Sequence, residues 1–217
     1  MFKEVKKELE SKSVMLVAVT KTQPVKVIMQ AYDAGYRDFG ENRVQELLEK
    51  HESLPQDIRW HLIGSLQRNK VKHIAHFIYL IHSIDSLKLL KEVNKEAGKF
   101  QRIIDVLLQI KIAQEYTKNG MSEAEAIELI SSADYLEMEH VRICGLMGMA
   151  TLTDDKDQVR KEFQNLKTFF DLLKKQFFKA VTDFKYLSMG MSGDYDIAIE
   201  EGSNMVRIGS LIFGERS

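Results

Sequence analysis

A (β/α)8 TIM-like barrel, built as a single domain over residues 1–217, is the fold class this sequence predicts. Three observations carry it. Short apolar, β-branched runs alternate with longer amphipathic stretches along the whole chain, the pattern of parallel strands joined by crossover helices. Eight such runs occur, and 217 residues lies near the lower end of the length this fold needs. No Pro/Ser-rich linker or low-complexity segment interrupts the alternation, and 44% hydrophobic residues is ample for one large core. A doubly wound open sheet is the structural alternative, because a strand count does not establish closure.

The elements follow in order. Phe2, Val5 and Leu9 space an opening helix. Val14 to Thr20 is the first strand, too apolar to have a solvent face and so buried on both sides. Pro24 stops it and suits the start of a helix, which runs from Val25 to Asp33 with Val27, Ile28 and Ala31 on one face and ends at Gly35. Tyr36 to Phe39 is the second strand, and Gly40-Glu41-Asn42-Arg43 turns into a helix carrying Val44, Leu47 and Leu48. Pro55 marks the next loop. Trp60 to Gly64 is the third strand, Asn69 to His76 a helix, and Phe77 to Ile81 the fourth strand, closed by His82-Ser83.

The second half repeats the pattern. A helix from Ser86 to Lys95 precedes the most apolar strand, Arg102 to Ile112. The polar loop from Gln114 to Met121 is long enough to act as a gate. Ser122, followed by Glu123 and Glu125, caps a helix whose early carboxylates suit its positive dipole end. Val141 to Met147 is the sixth strand, and Asp155 to Lys175 is the longest helix, with Val159, Phe163, Leu166, Phe170 and Leu173 as its buried stripe. Tyr186 to Ser188, a helix from Tyr195 to Glu200, and Met205 to Ile208 complete the set. Little chain follows the eighth strand, so the opening helix is expected to cover that gap.

Composition narrows the function. Lys+Arg 31 against Asp+Glu 32 leaves a formal charge of -1, which gives no electrostatic footprint for nucleic acid or an anionic membrane. The expected partner is a small molecule. Cys144 is the single cysteine, which excludes an intrachain disulfide and any Cys-x-x-Cys site, and reads as a buried small hydrophobe. The segment Met1 to Glu8 has no apolar signal core and no apolar run is long enough for a bilayer, so the expected compartment is cytoplasmic.

The chemistry begins at Lys21, at the carboxyl end of the first strand, where α/β barrels and open α/β sheets both bind their ligands. A lysine partly dried by the core can shed its proton and attack a carbonyl carbon; alternatively its ammonium simply reaches water from a strand edge. Barrels often hold phosphate in the loops after strands seven and eight. Here those loops are Ser188-Met189-Gly190-Met191-Ser192-Gly193 and Gly209-Ser210, rich in glycine and hydroxyls, although Asp194 brings a carboxylate close. Arg207 lies inside strand eight and points either into the barrel or out to the helices. Lysine, phosphate cradle and arginine together suggest pyridoxal phosphate (PLP), with Lys21 for the aldehyde and Arg207 for the pyridine nitrogen. An arginine can only donate to that nitrogen, which keeps the ring a poor electron sink and disfavours transaminase-like chemistry.

At these residues the chain resembles the pyridoxal phosphate homeostasis protein family, relatives of the N-terminal barrel of alanine racemase, a fold type III PLP barrel. The resemblance is carried by Val17-Ala18-Val19-Thr20-Lys21-Thr22, Phe39-Gly40-Glu41-Asn42, His61 to Lys70, Gly145-Leu146-Met147, Ser188 to Ser192 and Val206 to Ser210. It implies that Lys21 holds PLP as an internal aldimine, that Arg207 faces the pyridine nitrogen, and that Ser192, Gly209 and Ser210 surround the phosphate. By the same carry-over Asn42, His82, Ser83 and Met147 line the ring. Thr20 stands where the family often has serine, and Ser210 where it often has threonine, which keeps both hydroxyls.

The resemblance further implies a part in intracellular PLP supply and buffering rather than turnover, with apo PLP-dependent enzymes as candidate recipients and a monomer or weak dimer as the assembly. Alanine racemase takes its second acid/base, a tyrosine, from a further domain, and no residue is assigned that role here. Tyr116 is a candidate substitute, with an amphipathic surface or core position as its alternative. The rival function is a small PLP-dependent racemase or lyase. His73 and His76 could seat a metal but lack a third ligand, so no metal is assigned. Arg68, Lys70, Lys72 and His73 read as a solvated basic face.

Overall fold

The computed structural model describes residues 2–114 and 120–214. Its eight strands are β1 (Met15–Val19), β2 (Asp38–Glu41), β3 (Arg59–Leu62), β4 (Leu80–Ile84), β5 (Ile104–Gln109), β6 (Val141–Met147), β7 (Tyr186–Ser188) and β8 (Met205–Ile208). They pair in sequence order, all parallel, and β8 returns to pair with β1, so the sheet is a closed barrel and not an open one. The helices are α1 (Phe2–Ser11), α2 (Val25–Asp33), α3 (Val44–Ser53), α4 (Arg68–Ile74), α5 (Leu87–Gly98), α6 (Glu123–Ser131), α7 (Ala133–Leu136), α8 (Lys156–Gln176), α9 (Tyr195–Glu200) and α10 (Ser210–Phe213).

Strand side chains alternate between two apolar compartments. Ala18, Phe39, Trp60, Ile81, Val106, Ile143, Leu187 and Val206 face outward into the layer under the helices. Val17, Leu80, Leu107, Cys144, Met147 and Met205 fill the barrel interior. Burial pushes the Cys144 thiol up to about 12, so it stays protonated as a small core group. The helices earn their ends locally. Ser122 accepts from the Glu125 amide while the Glu125 carboxylate accepts from the Ser122 amide, a reciprocal cap on α6. Asp155 accepts from the amides of Asp157 and Gln158 and starts α8, whose stripe of Val159, Phe163, Leu166, Phe170 and Leu173 is buried as its spacing requires.

Two strands lie further along the chain than the sequence suggests, and the reason is the same in both. Tyr36 still belongs to the end of α2, its amide bonded to the Ala31 carbonyl after Gly35 turns at φ 92°, so β2 starts at Asp38. The Phe77 and Ile78 amides both return to Ile74, so β4 starts at Leu80 and contains His82 and Ser83 instead of stopping at them. The short helices α7 and α10 are additional to the expected set. The α4 residues Arg68, Lys70, Lys72 and His73 are all exposed, as a solvated face would be. Among the described residues no helix is long and apolar enough to cross a membrane, and no three His, Cys, Asp or Glu gather as a metal site. Tyr116 and the middle of the Gln114 to Met121 loop lie outside the described residues.

Candidate functional site

At the carboxyl ends of the strands a cavity of about 290 Å³ opens, and Lys21, Asn42, Ser192, Arg207, Gly209 and Ser210 all line it. The chain brings them there from four strand ends. Lys21 follows β1 and is half-buried, between Thr20, which is fully buried, and Thr22, which adopts φ 65°. A buried ion pair grips both neighbours. Lys50 on α3 donates to the Thr20 carbonyl at 2.7 Å and to the Glu41 and Glu46 carboxylates, each at 2.6 Å. Glu46 in turn accepts from the Thr22 amide, and Glu41 accepts from the Thr20 hydroxyl. Burial raises the Glu41 carboxyl despite these donors, and its Oε2 has no hydrogen-bond partner among the described residues. The backbone on each side of Lys21 is therefore held by charge rather than by packing alone.

Asn42 follows β2 and lies under Gly64, where an added Cβ would sit 2.3 Å from the Asn42 carbonyl oxygen. Only glycine lets the two strand ends approach so closely. In the loop after β7, the Met191 amide donates to the Asp194 carboxylate at 2.6 Å, which commits that carboxylate to the turn. Ser192 Oγ accepts from the Gly209 amide at 3.3 Å, tying the two glycine/serine loops together beside α10. The first amides of such a turn have no partner within it and suit an anion.

Arg207 points into the barrel. It is in register with Val17, an interior residue, and is 4% exposed. Nη1 donates to the Ser188 carbonyl at 2.8 Å and to Ser188 Oγ at 2.6 Å, and Nη2 donates to the Gly148 carbonyl at 3.0 Å. These bonds use three of the five N–H groups of the fork and leave donors for a ligand. Burial lowers its pKa to about 10, which leaves it a cation near neutrality.

Below Arg207 the interior carries a line of polar groups in which the sequence names His82 as a site residue but does not reveal the connection. His82 Nδ1 lies 3.1 Å from Ser188 Oγ, His82 Nε2 lies 3.0 Å from His61 Nδ1, and His61 Nε2 lies 3.1 Å from Asp38 Oδ1. Burial holds the His82 imidazole well below its usual range; a charge on His61 would act the same way, as the Arg207 cation does. Asp38 is also gripped by Arg59, at 2.7 Å from Nε and 2.5 Å from Nη2. Burial alone would raise the Asp38 carboxyl, but the Arg59 and His61 contacts overcome it and bring the pKa down to about 2 from 3.8. A depressed carboxylate stabilises the fold above its unfolded pKa and loses that contribution as pH falls through the folded one. About 2 kcal/mol is accordingly expected to disappear between pH 3.8 and about 2. Acid titration of unfolding free energy measures it, and Asp38→Asn removes that portion of the slope.

The remaining expected residues sit deeper. His82 and Met147 are interior residues beneath the cavity, and Ser83 is buried on β4 with its hydroxyl unpartnered among the described residues. None of the three lines the cavity. Sequence reading missed Gln23, Ile63, Met149 and Met191, which do. It also missed the Glu41–Lys50–Glu46 cluster, whose one visible signal is the helical spacing of Glu46 and Lys50.

A closed parallel barrel with a lysine after β1 and an arginine inside β8 defines a class, and the family model of the alanine racemase N-terminal domain matches residues 2–217. Within that class the chain belongs to the pyridoxal phosphate homeostasis protein family. It is 41% identical over 202 residues to the pyridoxal phosphate homeostasis protein of Aquifex aeolicus, covering 93% of this chain and 86% of that protein. The Schizosaccharomyces pombe protein of the same name is 37% identical over 216 residues, covering 98% and 89%. PipY of Synechococcus elongatus, solved with PLP bound, superposes with a TM-score of 0.86 at 35% identity, covering 99% of this chain and 100% of that one. D-threonine aldolase from Filomicrobium marinum, with a TM-score of 0.79 at 15% identity over 97% of this chain and 58% of that one, shares the fold.

Proposed function

We propose that this chain binds PLP in the cavity above the barrel and serves intracellular PLP homeostasis, holding and releasing the cofactor rather than turning over a dedicated substrate. One observation carries the reading: Lys21 and Arg207 line one small cavity together with two glycine/serine loops tied to each other. The PLP-bound relative and the names of the homologues support it. PLP supplies an aldehyde carbon that condenses reversibly with amines and a ring that draws electron density from them.

The residues divide the work. Lys21 would hold the aldehyde end of the group, its amine supplying a reversible covalent anchor that a competing amine could displace. Ser192, Gly209 and Ser210 take the phosphate with hydroxyls and amides, and Asn42 bounds the site from β2. Arg207 would donate to the ring nitrogen and, staying protonated itself, would leave that nitrogen without a proton. His82, Ser83 and Met147 support the ring from the barrel interior. Lys21 and Arg207 are the titratable residues among the described lining, so the described wall holds no second acid/base for racemisation. That favours a holder over the racemase or lyase. Apo PLP-dependent enzymes are the recipients this reading assigns.

Borohydride reduction of the PLP-loaded protein, followed by peptide mapping, tests it. A pyridoxyl adduct on the peptide containing Lys21 is expected; absence of any adduct after loading overturns the proposal. An L-amino acid incubated with the loaded protein keeps its chirality if the protein is a holder. Pyridoxal, which lacks the phosphate, is expected to bind at least about tenfold more weakly than PLP, since charge-assisted hydrogen bonds of the loops are lost.

A further inference from the structure

The polar line inside the barrel has a direction. One end, Arg207, can only donate; the other, the Asp38 carboxylate, can only accept. Between them stand a hydroxyl with one proton and two imidazoles. If Ser188 Oγ accepts from Arg207 and donates to His82 Nδ1, then His82 donates from Nε2 to His61 Nδ1, and His61 donates from Nε2 to Asp38. Every proton then has an acceptor and both rings are neutral.

The reverse direction fails at both ends. Were His61 Nδ1 the donor to His82, His61 would either turn a bare nitrogen toward the Asp38 carboxylate or become a cation. His82 would then donate to Ser188 Oγ, which already accepts from Arg207, and the Ser188 proton would have no acceptor on the line. A second cation would also stand in a dry interior with Arg207, where His61, His82 and Ser188 are all at most 1% exposed. The groups facing the two rings from neighbouring strands are Asp38, Arg59 and Tyr79 at one end and Arg207 at the other.

We propose that Asp38, at the amino end of the barrel, is a positioning residue for Arg207, acting through a one-way line of donors, Ser188 to His82 to His61 to Asp38, in which both imidazoles are fixed as Nε2–H tautomers. Asp38 decides where the Ser188 proton goes, and so which side of that hydroxyl receives the guanidinium. The functional consequence rests on the PLP reading, because Arg207 is the group assigned there to the ring nitrogen. The line itself does not.

The test uses the full chain labelled with 15N in histidine and arginine, first without PLP. His61→Gln and His82→Gln assign the two ring signals. Both rings are expected to carry their proton on Nε2 with a bare Nδ1. In Asp38→Asn, checked as folded by its other amide signals, the single tautomer gives way to a mixture and the Arg207 guanidinium N–H signals shift; in Ser188→Ala, whose hydroxyl touches Arg207 directly, the arginine signals shift while both rings keep Nε2–H, because His61 still donates to Asp38. PLP affinity is then measured and is expected to fall on the order of tenfold in each variant, the worth of a charge-assisted hydrogen bond. A proton on Nδ1 of either ring, or a doubly protonated His61, overturns the assignment. Unmoved Arg207 signals in folded Asp38→Asn overturn the positioning role. Should Asp38→Asn not fold, His61→Gln breaks the same line without touching Arg207, and the wild-type tautomers still decide its direction. If the wild-type chain takes up no PLP, the functional reading fails while the tautomers and the arginine signals still judge the line.

Discussion

Lys21→Ala is expected to abolish every reducible attachment of PLP while leaving the barrel folded. The side chain is half-buried at a cavity edge, and the local backbone is held by Lys50 through the Thr20 carbonyl and, by way of Glu46, the Thr22 amide, none of which the substitution removes. The phosphate loops and Arg207 also remain, so non-covalent uptake should persist, weakened by roughly 10- to 100-fold through loss of the amine contact. Absorption of the bound cofactor should revert to that of the free aldehyde. Mass spectrometry after borohydride gives the sharper reading, because the variant should yield unmodified protein alone. A pyridoxyl group appearing on another lysine of Lys21→Ala at comparable yield would remove Lys21 from the role.

Lys50→Met is expected to produce the largest loss of stability, about 3–5 kcal/mol, because it leaves buried carboxylates without their cation. Glu41 is fully buried and shares Lys50 at 2.6 Å; its pKa is already raised by burial. Removing the ammonium raises it further. The sign of the pH dependence follows. A carboxyl whose folded pKa lies above its unfolded one is best tolerated when protonated, so the deficit of the variant should grow as pH rises from the unfolded pKa through the folded one. Thermal unfolding at neutral pH should fall on the order of 10 °C, and by less in mild acid. The same variant should attach PLP more slowly, since Thr20 and Thr22 lose the grip that frames Lys21. Equal losses at pH 5 and pH 8 would sink the electrostatic account.

The elements with strong local signals were legible in the sequence. β6, β7 and β8 and the helix α2 begin and end where apolar runs and turn residues put them, and Ser122 caps α6 as its spacing with Glu125 implies. β2 and β4 were displaced because Tyr36 and Phe77 look like strand residues while their amides complete preceding helical turns. His82 and Ser83 look like the end of a strand because polar residues seldom point into a barrel. Their neighbours are invisible locally: His82 meets Ser188 across 106 positions of sequence. The inward direction of Arg207 was likewise undecided until its register with Val17 fixed it. Placement at strand ends pointed to Lys21, Ser192, Arg207, Gly209 and Ser210, and the family resemblance added Asn42; all six line one cavity, whereas the ion pair behind Lys21 is a product of tertiary packing.

The pairing of β1 with β8 sets an order of events during synthesis and folding. Lys21 leaves the ribosome long before Arg207, yet Val17 and Arg207 are neighbours across the seam where the ring of strands shuts. Contacts so distant in sequence form late, after most of the loop entropy has been spent. The ligand cavity therefore does not exist in a partly assembled chain, and its appearance coincides with the last strand docking. Ligand that binds only the shut ring stabilises it by mass action. If the ligand is PLP, its supply would thus act as a latch on a newly made barrel, and starvation for it would be felt as a larger fraction of chains with the seam open.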